Sequence, residues 1–336
     1  MNQATRYTRF ALAREMMETA SIVRSFDPAR SQALAAAAGG TRRLFLTGEG
    51  SSRIFPAKNA IRVAMQAGLS GVHTDGARQA AGYDLSSYTV ILASNSGRTS
   101  EVVALARVLE QAGITDRYAL TAHASTVLES LCTGGVQLTC GPEEAVAATK
   151  SVVEQALFVE SLIRHLTGNP WIRPMGTLAD AMAAALSVDL DPAIVRAAAT
   201  APMIYFAGYN DGVAEELTLK TNEITRKKSD YLEGTYAVHG VEEVMDADDV
   251  VIVIDPVPED IDKFRAVLVD GVGLTVVAIA DHDTPFPTIR IPRVEEGAPY
   301  VQLAAGWNLL VEVGLSLGID LDTPRRARKV GNEAAD

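Results

Sequence analysis

Short apolar runs alternate with longer segments of helical periodicity in the first half of the chain. The apolar runs predict strands within 43–52 and over 88–94, 117–123 and 136–140. The helical periodicity predicts two helices within 8–38 and one helix each over 53–67, 99–111 and 149–166. Strands of this length, alternating with helices of ten or more residues, indicate a parallel sheet that is covered by helices on both faces.

The same pattern restarts after a segment rich in proline and glycine, TGNPWIRP, at 167–174. It predicts two helices within 177–198, strands within 203–212, 249–260 and 275–283, and helices ending near 225 and 318. Leu44 and Met203 begin comparable strands 159 positions apart, and Val90 and Val250 lie 160 positions apart. We therefore expect an internal duplication, with one α/β domain over 1–168 and a second over 175–336.

Two strands of the first half run directly into small polar residues. One strand ends in GEGSS at 48–52, and another ends in SNSGRTS at 94–100. Glycine lets the backbone approach a ligand closely, and hydroxyl and N–H groups at a helix start favour an anion. Ser96 and Thr99 could also serve only as helix caps. Two such loops at one edge of one sheet favour a phosphate pocket, and neither contains a nucleotide-binding motif.

These loops resemble those of the sugar isomerase (SIS) domain family. SNSGRT resembles the S-x-S-G-x-T loop of that family, and VAATK (146–150) resembles its V-A-S-T-K segment. The tandem layout resembles the isomerase part of glucosamine-6-phosphate synthase, in which each domain is a doubly wound, flavodoxin-like parallel sheet. The resemblance implies a substrate-binding set of residues, with Ala148 replacing a serine and Asn95 replacing a glutamine. That set is Ser51, Ser52, Ser94, Asn95, Ser96, Thr99, Val146 and Ala148.

The second half carries further motifs of the same family. Glu216, Lys220 and Glu223 match its E-x-x-x-K-x-x-E helix, and His239 follows sixteen residues after Glu223. DTPRRARKV resembles the D-x-P-R-x-x-x-K tail and aligns Lys329 with its lysine. The resemblance implies that Glu223 moves a proton between C1 and C2 of the sugar and that Lys329 contacts the carbonyl region. It also implies that His239 assists ring opening in the site of a neighbouring subunit.

Helical spacing alone leaves two interpretations of the glutamates and the lysine. Positions i, i+4 and i+7 share one helix face, so the three residues could form solvated ion pairs. They could also be partly desolvated together, which would prepare Glu223 to accept a carbon-bound proton near neutral pH. The match to the family favours the second interpretation.

Composition excludes several classes of protein. The net charge of −12 argues against nucleic acid or an anionic membrane surface as the main partner. Two cysteines and no motif with ligand spacing predict neither a disulfide framework nor a metal site. No apolar run suggests a signal peptide or a membrane span, so we expect a cytoplasmic protein. The resemblance covers about 43–330 and includes no glutaminase domain, so we expect no glutamine-dependent amidation by this chain alone.

These observations predict a homodimeric phosphosugar isomerase with shared active sites, which acts on a hexose or aminohexose phosphate without a cofactor. Deamination or deglycation of an aminated sugar phosphate uses the same residues and remains open, as does isomerisation of a sulfonated sugar. A sensor that binds a sugar phosphate without turnover is a third possibility, but it would not need Glu223, His239 and Lys329 together.

Overall fold

The computed structural model describes residues 1–328 and 332–334. Its α-helices are Thr5–Thr8 (α1), Ala11–Ser25 (α2), Gln32–Ala38 (α3), Ile54–Gln66 (α4), Ala77–Ala80 (α5), Ser100–Gln111 (α6), Val127–Ser130 (α7), Lys150–Thr167 (α8), Met175–Ser187 (α9), Pro192–Thr200 (α10), Val213–Thr225 (α11), Ile261–Phe264 (α12) and Ala298–Ser316 (α13). A π-helical segment, Arg265–Val272, continues from α12.

The strands form two parallel sheets. The first contains Leu44–Gly48 (β1), Val72–Gly76 (β2), Thr89–Ser94 (β3), Arg117–Thr121 (β4) and Gly134–Gln137 (β5). The second contains Met203–Gly208 (β6), Lys228–Glu233 (β7), Val250–Ile254 (β8), Thr275–Ala280 (β9) and Thr288–Arg290 (β10). The first has the order β2-β1-β3-β4-β5 and the second β7-β6-β8-β9-β10, counted from the corresponding edge. Both sheets therefore have the flavodoxin-like order, which confirms the predicted fold class.

The chain divides into two compact units, one around each sheet. The first-sheet unit comprises residues 22–143 and 148–175 together with the described residues from 327 onward. The second-sheet unit comprises residues 1–21, 144–147 and 176–326. The first 21 residues thus pack with the later sheet, whereas the expectation from sequence places them in a domain over 1–168.

The central strands are buried because both of their faces are covered by helices. Every residue of β1, β3 and β8 is buried, and β8 has the sequence VVIVI, whose β-branched residues suit a packed, pleated surface. The strand predicted at 136–140 lies instead at Gly134–Gln137. Thr139 has left the strand, because its N–H and hydroxyl both donate to the carboxylate of Glu154.

Candidate functional site

The loop after β3 is shaped by hydrogen bonds among its own side chains. Ser94 is buried, and its Oγ accepts the N–H of Gly97 at 3.0 Å and lies 2.8 Å from Oγ1 of Thr99. Thr99 occupies the N-cap position of α6, but its side chain makes no capping hydrogen bond. When Ser94 donates to Thr99, the Thr99 hydroxyl is left to donate to a bound group. The simple capping interpretation of Thr99 is therefore wrong.

Gly97 is required at the bend of this loop. Its φ is +64°, in the left-handed region, and a Cβ at this position would lie 2.4 Å from Cβ of Thr126. The carbonyl of Gly97 accepts the N–H of Leu128, which fixes the loop on the start of α7. A larger residue would therefore both strain the backbone and displace the loop.

The remaining polar residues of this loop are half-buried. Oγ of Ser96 accepts the N–H of Arg98 at 3.2 Å, so its hydroxyl hydrogen is still available for donation. Nδ2 of Asn95 donates to Oε2 of Glu143 at 2.7 Å. Glu143 was not among the residues predicted from the sequence, although it lies five residues before the candidate residue Ala148.

The loop after β1 lies beside the loop after β3, because β1 and β3 are paired in the sheet. The strand order reverses at this pair, which is where ligands bind in sheets of this type. Ser51 is buried and Ser52 half-buried, and both belong to a single 3-10 turn, Gly50–Ser52. The two predicted hydroxyl loops thus occupy the edge of the sheet at which the resemblance puts a phosphate.

A small cavity reaches from this edge towards α8. It has a volume of about 10 Å³, and Thr47, Ser52 and Gln155 are among the residues that line it. Gln155 is fully buried, and neither polar atom of its amide has a partner among the described residues. A volume of this size accommodates about one water molecule, and a buried amide needs such a partner.

The VAATK segment leads into α8. Val146 and Ala148 are both half-buried, but Val146 packs within the second-sheet unit and Ala148 within the first-sheet unit. The methyl group of Ala148 supplies no hydrogen bond in place of the family's serine. The roles of both residues in binding stay predictions.

The described residues near the C-terminus pair with the loop after β3. Ser100 donates its N–H to the carbonyl of Asn332, and Ala334 donates to the carbonyl of Arg98. Thr99 and Glu333 form an antiparallel bridge. Lys329 lies outside the described residues, so its predicted contact with a sugar carbonyl stays a prediction.

Glu216, Lys220 and Glu223 lie together on the inner face of α11. Nζ of Lys220 is 3.3 Å from Oε1 of Glu216 and 2.7 Å from Oε2 of Glu223. The side chains of Glu216 and Lys220 are fully buried, whereas that of Glu223 is 26% exposed. The interpretation of these residues as a solvated helix face is therefore wrong, and Glu223 is the member that solutes can reach.

Burial lowers the pKa of Lys220, but the adjacent Glu216 and Glu223 carboxylates outweigh this effect, so the pKa is raised above its usual value. The ammonium group is therefore retained and compensates one of the two carboxylates. Close packing of α11 on α13 keeps water away, because a Cβ at Gly306 would lie 2.4 Å from the methyl carbons of Leu217.

His239 follows a short 3-10 turn, Tyr236–Val238, and is exposed. Its Nε2 lies 3.1 Å from Nζ of Lys263 in α12. The structure therefore places His239 on a different element from the buried ion pairs of α11.

Aspartates follow two neighbouring strands of the second sheet. After β6, the Asp211 side chain is buried and Oδ1 accepts the N–H of Val213 at the start of α11. Asp255 follows β8 with a left-handed φ of +49°.

A cavity of about 770 Å³ lies elsewhere in the second-sheet unit. Tyr7, Asp189, Arg196 and Glu312 are among its lining residues, which include none of the predicted site residues. Within residues 1–328 and 332–334, no cluster of three or more His, Cys, Asp or Glu side chains could hold a metal ion. The helices of that same part are also too short or too polar to span a membrane.

Cys132 and Cys140 are both free, and burial raises the pKa of each thiol to about 12. Neither is thus prepared to act as a thiolate nucleophile.

Several solved structures share the fold of the whole chain. A candidate phosphosugar isomerase from Silicibacter pomeroyi has 22% identity and a TM-score of 0.78, with 93% of this chain and all of that chain covered. Tagatose-6-phosphate ketose/aldose isomerase from Escherichia coli has 18% identity and a TM-score of 0.77, with 97% of this chain and all of that chain covered. The C-terminal domain of glucosamine-fructose-6-phosphate aminotransferase from Francisella tularensis has 16% identity and a TM-score of 0.74, with coverages of 94% and 98%.

No family model and no curated protein matches the sequence. The likeness to the solved structures is therefore one of fold, and it spans nearly the full length of both partners. The chain has the tandem SIS fold of sugar-phosphate isomerases.

Proposed function

We propose that the protein is an aldose–ketose isomerase that acts on a hexose or aminohexose phosphate by cofactor-free proton transfer. The observation that carries the proposal is the buried group of Glu216, Lys220 and Glu223, in which only Glu223 is partly exposed. Burying two carboxylates and an ammonium group costs free energy that a surface helix would avoid. Catalysis gives a reason to retain such a group.

Glu223 is the proposed base. Lys220 donates to Oε2 of Glu223, which leaves Oε1 to face the substrate. The carboxylate removes the proton from C2 of the aldose, and the electron pair of that bond forms the C1=C2 double bond of an enediol as O1 gains a proton. Return of the proton from Glu223 to C1, with loss of the O2 proton, then gives the ketose. The net reaction consumes no oxidant and no reductant.

The hydroxyl loops are the proposed site of the phosphate group. Ser96 and Thr99 can each donate a hydroxyl hydrogen, and Ser51 and Ser52 belong to the adjacent loop. Neutral donors suit a dianion without the cost of burying a further cation. The chain shares its fold with a candidate phosphosugar isomerase and with a tagatose-6-phosphate ketose/aldose isomerase. This likeness supports a phosphate group as the anion.

Exchange of substrate hydrogen with solvent tests the proposed base. Wild-type protein should incorporate deuterium from heavy water at C1 or C2 of fructose 6-phosphate or glucosamine 6-phosphate, as measured by NMR. Glu223→Gln should slow this exchange by about 10²- to 10⁴-fold, because general-base catalysis is worth that much. Glu259→Gln, at an exposed position, is the matched control. Exchange at the wild-type rate in folded Glu223→Gln would exclude Glu223 as the base.

Ala148 favours a second reaction class at the same residues. Its methyl group replaces a hydroxyl donor, which indicates a substrate that differs from the common one at that contact. A deaminase or deglycase would release ammonia or an amino acid from an aminated sugar phosphate, and assaying these products in the same reactions separates the two classes. A sulfonated sugar would be recognised by the same hydroxyl donors. Binding without exchange or product would instead indicate a sensor.

The proposal includes a cytoplasmic homodimer in which His239 serves the site of the neighbouring subunit. Such a site needs Glu223 from one chain and His239 from the other. Mixing Glu223→Gln chains with His239→Gln chains would then restore about a quarter of the wild-type activity, because half of the randomly formed dimers contain one intact site out of two. Mixtures no more active than their components would exclude this sharing.

A further inference from the structure

One carboxylate organises the segment that joins the loop after β3 to α8. Oε1 of Glu143 accepts the N–H groups of Thr149 and Ser151 at 2.9 and 3.2 Å. Oε2 accepts the hydroxyl of Ser151 and the amide of Asn95, each at 2.7 Å. The negative charge of Glu143 is thus stabilised by four hydrogen-bond donors at the start of α8, where the helix dipole also stabilises it.

This arrangement fixes the orientation of the Asn95 side chain. An ionised carboxylate can only accept hydrogen bonds, so the NH2 end of the Asn95 amide must face Glu143. The opposite orientation would bring two oxygen atoms to about 2.7 Å from each other without a hydrogen between them. The backbone of Asn95 is fixed as well, because its carbonyl accepts the N–H of Ala122 at 3.0 Å.

The orientation determines what Asn95 can offer to a ligand. One amide hydrogen is used by Glu143, which leaves the carbonyl oxygen Oδ1 and the second hydrogen. A phosphate dianion has only acceptor oxygens and would be repelled by Oδ1. A sugar hydroxyl can donate to Oδ1 and can also accept from the remaining N–H. The adjacent Ser96 and Thr99 present hydroxyl donors, which do suit an anion.

We propose that Asn95 recognises a hydroxyl group of the sugar, with Glu143 as the positioning residue that sets the direction of its amide. The inference rests on the proposed function and divides the loop after β3 into two parts. Ser96 and Thr99 hold the anion, and Asn95 distinguishes a sugar phosphate from other phosphates. A chain with Asn95 altered should still bind an anion, but it should lose its preference for the sugar.

Binding of two probes separates these roles. Calorimetry with inorganic phosphate and with fructose 6-phosphate should show that Asn95→Ala weakens binding of the sugar phosphate by about tenfold, the value of one or two hydrogen bonds. Its affinity for inorganic phosphate should stay within twofold of wild type. Ser96→Ala should weaken the binding of both probes by a similar factor, because it removes a hydrogen-bond donor to the anion itself.

Glu143→Gln tests the positioning role. The new NH2 group can face the Asn95 amide only if that amide turns round, so selectivity for fructose 6-phosphate over inorganic phosphate should fall as it does in Asn95→Ala. A defect in folding alone would lower both affinities together and leave their ratio unchanged. Glu144→Gln is the matched control, because Glu144 is exposed and its N–H, not its side chain, contacts Glu15.

The outcomes distinguish this inference from the function on which it rests. If Asn95→Ala weakened the binding of both probes equally, the inference would be overturned and the phosphate site would stay in place. Wild-type protein that binds neither probe would overturn the proposed function and the inference with it. Selectivity lost in Asn95→Ala but kept in Glu143→Gln would reject the positioning role of Glu143.

Discussion

The two sheets share one strand order, yet the edges at which their ligands would bind have different chemistry. In the first-sheet unit, the loops after β1 and β3 present the hydroxyl groups of Ser51, Ser52, Ser96 and Thr99. In the second-sheet unit, the corresponding strands β6 and β8 are followed by Asp211 and Asp255. A duplicated fold can therefore keep its strand order while the two copies take separate tasks.

The buried carboxylates of the two units also differ in their partners and in their exposure. In the first-sheet unit, the fully buried Glu154 is bonded to Arg30 and to Thr139, and the buried Glu160 is bonded to Asn59 and Arg164. These carboxylates hold elements together. In the second-sheet unit, Lys220 binds two carboxylates, and one of them, Glu223, remains partly exposed. This partial exposure is the observation on which the proposed role of Glu223 rests.

The largest expected effect comes from removing the cation of this cluster. Lys220→Met removes the cation that contacts two carboxylates, one of them fully buried, so we expect a loss of about 3–5 kcal/mol in the free energy of unfolding. Urea denaturation of the full chain, followed by circular dichroism, measures this loss. Lys228→Met, at an exposed position of β7, should change the same quantity by less than about 0.5 kcal/mol. Similar values for the two variants would show that the cluster is not buried in solution.

A smaller effect is expected at the bend of the hydroxyl loop. Gly97→Ala introduces both backbone strain and a contact with Thr126, whereas Gly113→Ala introduces strain alone, because no atom lies within 4 Å of a Cβ at Gly113. We expect a loss of about 1 kcal/mol for Gly113→Ala and about 2–3 kcal/mol for Gly97→Ala. Only Gly97→Ala should also weaken phosphate binding. An unchanged affinity for phosphate in Gly97→Ala would separate the loop from the anion site.

The smallest effect concerns the number of anion sites. Titration with inorganic phosphate should show one site per chain, because the loops after β1 and β3 together carry four Ser and Thr hydroxyl groups, whereas Asp211 and Asp255 follow β6 and β8. Thr99→Val removes one hydroxyl donor and should weaken that site by about tenfold or less. Asp211→Asn should leave the affinity unchanged, since its side chain accepts from Val213 in the other unit. A second phosphate site in the wild-type protein would contradict the contrast between the units.

The strands that sequence could predict are the central ones. β1, β3, β4, β6, β8 and β9 all coincide with apolar runs, because helices cover both of their faces. The strands that were missed or displaced, β2, β5, β7 and β10, are the four outermost strands. β2 has the sequence VHTDG and β7 the sequence KSDYLE, which resemble turns, since an edge strand needs no continuous apolar run.

The candidate site was predictable only where local pattern determines it. The spacing of Glu216, Lys220 and Glu223 placed them on one helix face, but the burial of Glu216 and Lys220 comes from the packing of α11 on α13, β6 and β7. Glu143 could not be found from sequence, because its partner Asn95 lies 48 positions away. Its position after Pro142, shortly before a predicted helix, is the one signal that could have suggested a cap.

The close contact between Gly306 and Leu217 has an evolutionary consequence. A side chain at position 306 requires the Leu217 side chain to move, which disturbs the packing of α11 on α13 beside Glu216 and Lys220. Divergent sequences that preserve the charged cluster should therefore also preserve a glycine one helix away, although the two features are more than eighty positions apart in the chain. A search of homologous sequences for the charged cluster together with this glycine would separate proteins that retain the buried charges from proteins that retain only the fold.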